Sequence, residues 1–357
     1  MAENDVSTPA ATTGKSSGKG KARVTTRTKL IVLAVIALTV VIVVQTGLAG
    51  YGFAHLRAAT FPGDAGLLEH IPATSSGVLL VDTHRLDPAL LGPEGGTVRT
   101  YLTRTRDDIK KATGIDLWFD VDKIAFAPPL TVARGRFDGA SLAERLKESS
   151  YNDAEYRGVK YLIRGGQDAL AVLDGTFLLY GDETAIRASI DAGASNATLD
   201  DQEAFNDRLD AVGWEYPVLG TLQINADKPS VKEILSGSTG PRAFSFGLDT
   251  KGGLSLKALV ESVNPASAEE LRKLLDGKKA DAAALRTLAG PEAGPVLADV
   301  AARATLVVPP GSSQVAIQLS FSPEELDRMA KAASSIGSNL GQIYGSMRLF
   351  QLLVPSP

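Results

Sequence analysis

No cysteine occurs in the 357 residues. Disulfide frameworks, thiolate zinc sites, iron–sulfur clusters and cysteine nucleophiles are excluded together. Histidine is scarce as well, with His55, His70 and His84 the only three. No His-x-x-x-His or Glu-x-x-His pair exists, so metal-dependent hydrolysis has no foothold. A P-loop and a G-x-G-x-x-G are also missing. The Gly-rich stretches 92–96 and 290–294 each hold an acidic residue, Glu94 and Glu292, that would repel a phosphate, so they read as turns. No G-x-S-x-G elbow is present. Gly193-Ala194-Ser195-Asn196-Ala197 comes nearest, but no apolar strand precedes it.

The chain also lacks a basic stripe outside its first residues. Residues 1–29 hold six basic residues (Lys15, Lys19, Lys21, Arg23, Arg27, Lys29) and two acidic ones (Glu3, Asp5). That segment is +4, which leaves −8 for the remainder of a chain whose net charge is −4. Phosphate neutralisation needs clustered Lys and Arg, so nucleic acid is disfavoured as a partner of the main body. Hydrophobic residues at 44% and charged residues at 22% suffice for a packed core, which excludes disorder over the whole length.

One long uncharged run is present. Leu30 to Ala54 is 25 residues without a charge, and Leu30–Val44 is apolar except for Thr39. About 20 helical residues cross a ~30 Å hydrocarbon core, so residues 30–50 are expected to form a transmembrane helix in contact with membrane lipid. Lys21, Arg23, Arg27 and Lys29 precede the run with no acidic residue among them. This bias puts the N-terminus in the cytoplasm and the C-terminal body outside, with the plasma (inner) membrane as the expected location. Residues 1–20, rich in Ser, Thr, Ala, Gly and Lys, read as disordered. The alternative is a cleaved signal peptide, for which Gly47-Leu48-Ala49 is a small-residue cleavage site.

The expected layout is a basic tail over 1–29, the membrane helix over 30–50, a connector over 51–76, a first α+β unit over 77–198 and a second over 199–357. In the first unit, Gly77–Asp82 is an apolar run suited to a buried strand, and Thr97–Thr113 a helix closed by Gly114. Strands are expected next over Lys123–Ala127 and Leu130–Phe137, separated by Pro128-Pro129. Ser141–Ser149 reads as a helix with Leu142 and Leu146 at i, i+4, and Tyr156–Arg164 as one extended segment. Ala169–Leu173 and Thr176–Tyr180 flank Asp174-Gly175, a two-residue hairpin turn, and Glu183–Asp191 reads as a short helix.

In the second unit, Ala204–Val212 reads as a helix, and Tyr216–Asn225, Arg242–Leu248 and Leu254–Val263 as strands. Ser267 with Glu270 matches a capping box at the start of a helical region. Thr305–Val308 is a strand before Pro309-Pro310. Ser313–Phe321 alternates, with Val315, Ile317, Leu319 and Phe321 on one face and Gln314, Gln318 and Ser320 on the other. Pro323–Leu353 reads as a long helix. Both units run strand, helix, strand, Pro-Pro, strand, helix. The fold class expected is therefore α+β, an outer domain of two ferredoxin-like (split βαβ) pseudo-repeats with antiparallel sheets.

Few residues invite a chemical role. His84 follows the first strand beside Asp82 and Asp87, where an imidazole and a carboxylate could serve as base or ligand; nothing else in the sequence supports a site there, and they read as an ordinary polar strand end. Asp107-Asp108 and Asp200-Asp201 read as solvated faces or helix N-terminal charge. Gly337, Gly341 and Gly345 form a stripe at spacing four on the last helix. Each costs about 0.8–1.0 kcal/mol relative to Ala, and close approach of a partner helix or of the protein's own core would account for them. No catalytic, metal or cofactor residue is assigned. The function expected is a non-enzymatic role in protein interaction or assembly, with a protein partner or a second copy. The alternatives are a carrier of an apolar or lipid ligand and a carboxylate-based hydrolase.

Overall fold

The computed structural model describes residues 63–64, 66–86, 97–165, 168–224, 240–279, 295–296, 298–326 and 328. The tail 1–29, the apolar stretch 30–50, His55 and the stripe of Gly337, Gly341 and Gly345 lie outside them. Among the described residues no helix is long and apolar enough to cross a membrane.

The protein is mixed α+β, built on one large antiparallel sheet. Its strands are β1 (Gly77–Asp82), β2 (Val121–Ala127), β3 (Leu130–Gly135), β4 (Asn152–Tyr156), β5 (Val159–Arg164) and β6 (Asp168–Leu173). Then come β7 (Phe177–Gly181), β8 (Val218–Gln223), β9 (Ala243–Asp249), β10 (Leu254–Glu261), β11 (Thr305–Val307) and β12 (Gln314–Phe321). The 12 strands lie in the order β11-β12-β10-β9-β8-β1-β2-β3-β7-β6-β5-β4.

This order corrects the expected tandem arrangement. The two units are not two sheets. A split βαβ places a strand between the two strands that flank its helix. In the second unit β12 does lie between β10 and β11, but in the first β1 and β2 are direct antiparallel neighbours. Similar element order thus hides different pairing, because strand order depends on long-range register that short apolar runs do not specify.

Five helices can be traced to local signals. Thr97–Thr113 (α1) ends where Gly114 takes φ +80°, as its glycine predicts. Gly139–Lys147 (α2) is capped by Asp138, whose carboxylate accepts from Ala140 N and Ser141 N, and it buries Leu142 and Leu146. Glu183–Ser195 (α3) is capped by Asp182, buries Ile186 and stops at Asn196 in the left-handed region. Glu203–Val212 (α4) buries Phe205, Leu209 and Val212. Pro265–Lys279 (α5) does not use the expected capping box. Its cap is Asn264, whose Oδ1 accepts from Ser267 N at 2.9 Å, with Pro265 as first helical residue.

The turns show the same reach and limit of local signals. Asp174 and Gly175 both take positive φ, as expected of a hairpin between β6 and β7. The segment Tyr156–Arg164 is not one strand: Arg157 and Gly158 also both take positive φ and fold β4 back on β5.

Helices α3 and α4 and the turn Leu68–His70 pack on one face of the sheet, over a core containing Leu67, Val78, Leu179, Ile186, Leu209 and Leu219. The opposite face carries two smaller cores. One joins α2 to Ala133, Leu162 and Leu170, and the other joins Ala268 and Leu271 of α5 to Val260 and Val315.

Candidate functional site

A single register row crosses all twelve strands and locates the site. From β4 it runs Ala154, Tyr161, Ala171, Leu179, Val132, Ala125, Leu80, Leu219, Gly247, Lys257, Gln318 and Thr305. Paired residues share a face, so this row is one surface. Under α3 and α4 it is apolar and buried: Leu179, Val132 and Ala125 are 0% exposed. Past α4 it turns polar, and Gln318 and Thr305 are exposed.

At that end lies an open groove of about 700 Å³. Its floor is β10, β12 and β11, lined by Ser255, Lys257, Gln318, Ser320 and Thr305, with Leu256, Leu319 and Phe321 also contributing to its lining. Tyr216 stands on one side, and Arg303 and Glu325 on the other. Tyr216 lies against the bare backbone of β9: a Cβ at Gly247 would meet its ring atoms at 2.5 Å. Glycine is therefore required there by the close approach of an aromatic ring. Burial, with Glu215 and Asp249 nearby, pushes the Tyr216 phenol up, so it stays a neutral hydroxyl.

Both cations of the groove are engaged. Lys257 Nζ donates to Ala211 O at 3.1 Å and Val212 O at 2.6 Å, placing its charge at the C-terminal carbonyls of α4. Arg303 Nη2 donates to the two Glu325 oxygens at 2.8 and 2.9 Å. Glu325 also accepts from Ser322 N at 2.9 Å. That backbone donor first, and Arg303 second, hold its carboxyl below the usual range.

The loop that carries Tyr216 is fixed by the strand end singled out in the sequence. Asp82 N donates to Pro217 O at 2.7 Å. Arg85 donates through Nη1 to Trp214 O at 3.2 Å and through Nη2 to Glu215 O. Asp82 Oδ1 accepts from the backbone of His84 and Arg85, each at 3.2 Å. Its Oδ2 lies 3.8 Å from Lys123 Nζ, which donates to Gly63 O at 2.6 Å. Burial, against the pull of Asp82, lowers the Lys123 pKa. His84 Nε2 lies 3.3 Å from Asp122 Oδ1, with the two side chains 3% and 4% exposed. The Asp82–His84 end is thus a junction that ties the connector, β1 and the α4–β8 loop together. Its polar groups are engaged with one another and with the backbone, and the cavity beside Asp82, Arg85 and Lys123 is only about 20 Å³.

The remaining candidates also have structural tasks. His70 packs 4.2 Å from the Phe177 ring, and burial lowers its pKa. Ser195 Oγ donates to Asp191 O at 2.8 Å, satisfying its own helix. Asp201 Oδ2 accepts from Thr198 N at 3.0 Å and Thr198 Oγ1 at 2.7 Å, closing the turn before α4. Asp108 lies 4.0 Å from Arg104, both largely exposed, as a solvated pair. The two Gly-rich stretches 92–96 and 290–294, with Asp87, lie outside the described residues. Among the described residues no group of three or more His, Asp or Glu side chains could hold a metal ion.

The sequence did not single out Tyr216, Ser255, Thr305 or Arg303. Its one signal was the polar face of β12, Gln318 and Ser320, which reads as ordinary solvent-facing alternation. Only the fold sets that face beside Tyr216 and beyond the cover of α4.

The fold class is thus α+β with helices on an antiparallel sheet. No protein-family model matches the chain, and no curated protein matches it. Among solved structures it is similar to TP0453 in several crystal forms. Form IV has a TM-score of 0.43 at 10% identity, covering 75% of this chain and 96% of that one. Form III gives 0.41 at 10%, covering 75% and 97%, and form I gives 0.40 at 11%, covering 76% and 98%. Likeness at this level carries no argument about the site.

Proposed function

We propose that the chain is a single-pass envelope membrane protein whose extracytoplasmic α+β domain acts non-enzymatically in interaction or assembly. The observation that carries the topology is the uncharged stretch Leu30–Ala54 behind Lys21, Arg23, Arg27 and Lys29. On this reading residues 30–50 form the transmembrane helix in the inner membrane, with the N-terminus cytoplasmic. Two features support the binding role. The ionisable clusters at Asp82–Lys123, His84–Asp122 and Arg303–Glu325 are committed to partners. The groove over β10–β12–β11 is open, which suits a surface contact better than an enclosed acyl chain. The stripe of Gly337, Gly341 and Gly345 is the surface this reading gives to a partner helix or a second copy.

Topology is the test. Protease added to intact spheroplasts should digest everything after residue 54 and spare an epitope fused before residue 1. Protection of the acidic C-terminal part, or recovery of the chain with soluble cytosolic protein, would overturn the proposal.

A further inference from the structure

The geometry points to a glycan-binding site in the groove over β10, β12 and β11, taking a neutral oligosaccharide along Ser255, Ser320, Gln318 and Thr305 with Tyr216 as its aromatic wall. It deepens the interaction role proposed above and rests on it only for access to envelope glycan; binding itself is independent of topology.

The chemistry of the lining selects the ligand class. Ser255 lies directly opposite Ser320, and Gln318 lies between Lys257 and Thr305. Neighbouring strands are ~4.8 Å apart, so these side chains form a grid of hydroxyl and amide groups on an exposed floor. Among the described residues no hydrogen bond occupies the Gln318 amide or the hydroxyls of Ser255, Ser320 and Thr305. Such groups donate and accept at once, which matches a sugar hydroxyl that also does both. The Tyr216 ring, pressed on Gly247, offers an apolar surface and a neutral hydroxyl at the same edge.

The alternatives fit less well. An anionic headgroup or phosphate would need an uncommitted cation. Lys257 already serves the carbonyls of Ala211 and Val212, and Arg303 serves Glu325. An acyl chain would desolvate the hydroxyls and amide without replacing their water. An added peptide strand needs a long sheet edge, whereas β10 is paired on both sides and the open edges here are short, Thr305–Val307 of β11 and Leu319–Phe321 of β12. The volume, about 700 Å³, lies within the range of small-ligand clefts and suits a short oligosaccharide.

The experiment uses the full chain in a detergent without a sugar headgroup, because a glycoside detergent would itself compete. Cello-, chito-, malto- and mannotetraose are titrated by calorimetry beside an arginine- and lysine-free polar peptide and inorganic phosphate. At least one tetrasaccharide should bind, and Gln318→Ala should weaken it about fivefold and Tyr216→Ala about tenfold or more. Glu155→Ala on the far edge strand should leave the affinity unchanged. Circular dichroism of each variant separates lost binding from lost fold, and Gln318, being exposed, should fold normally. Absence of binding by all four sugars to the wild type would overturn the proposal, as would equal affinity in Gln318→Ala. So would saturable binding of the peptide or of phosphate in their place. None of these outcomes bears on the protease test of topology, so the two proposals fail separately.

Discussion

The two ends of the sheet are made of the same pairing and differ in what covers them. Around β2, β3, β5 and β6 both faces contribute to a buried core, and the larger core holds fully buried Leu179, Ile186 and Leu209. From β9 to β12 the described helix α5 covers one face over a core of only four buried residues, Val260, Ala268, Leu271 and Val315. The strands record this difference in their composition. β6 is a run, Asp-Ala-Leu-Ala-Val-Leu, since both its faces are covered. β12 alternates, since among the described residues only one of its faces is covered, by α5. A surface left uncovered on a folded sheet must be polar to be tolerated and becomes available for binding. The groove lies on the face that α4 stops covering.

The comparison can be broken most directly in the cores. Ile186 is 0% exposed and packs in the larger core; Ile186→Ala should cost about 4 kcal/mol in urea denaturation of the full chain. Leu271, 2% exposed in the small core, has fewer packed neighbours to leave behind, and Leu271→Ala should cost about 2.5 kcal/mol. Equal losses would mean that the two ends are packed alike and that the open face has another cause.

Much of the local structure was legible from the residues. β1, the helix Thr97–Thr113, the Asp174-Gly175 hairpin and the alternation of β12 all stand where periodicity and turn chemistry put them. Each depends on interactions a few residues apart. The Arg157-Gly158 turn escapes such a reading because Arg rarely takes positive φ, so the dipeptide lacks the signature of Asp-Gly. Ser267 reads as a cap because the pattern Ser-x-x-Glu matches; Asn264 before Pro265 is the competing and stronger pair. The single sheet was hidden for a different reason. Whether two α+β segments share a sheet is decided by β1 pairing β8, residues about 140 apart, and no local pattern encodes that partner. The site was hidden with it. Tyr216 and Gln318 carry no motif, and their significance comes from the register that aligns Lys257, Gln318 and Thr305.

The ionic junction sharpens the contrast on the covered side. Asp82 is 7% exposed and balances Lys123, 8% exposed, while accepting two backbone N–H groups. Asp82→Ala should cost about 3 kcal/mol, because it removes the carboxylate that opposes a buried ammonium. Adding Lys123→Met should recover about half of that loss, since the charge that needed opposing is gone and the methylenes are kept. A double-mutant cycle in urea measures the coupling, and strictly additive losses would show that the two side chains act independently.

The smallest effect compares two arginine–carboxylate clamps in different surroundings. Asp116 accepts from Arg106 Nε at 3.0 Å and Nη2 at 2.7 Å, from Lys110 Nζ at 2.9 Å and from Trp118 N at 3.1 Å. Its side chain is 5% exposed and that of Arg106 24%. Burial alone would raise its pKa, but these donors outweigh it and lower the value from 3.8 to about 2. A carboxylate whose folded pKa is depressed stabilises fully above its unfolded value and loses that contribution as pH falls through the folded one. The stability difference between wild type and Asp116→Asn should therefore be about 2 kcal/mol at pH 7, begin to shrink near pH 4 and nearly vanish by about pH 2. Glu325 has the same kind of partner, but its Arg303 is 58% exposed, so solvent screens the pair. Glu325→Gln should give a smaller difference at every pH, measured in the same series of urea titrations. If the two substitutions gave superposable profiles, cover would not govern the strength of these clamps, and the contrast between the ends of the sheet would rest on apolar packing alone.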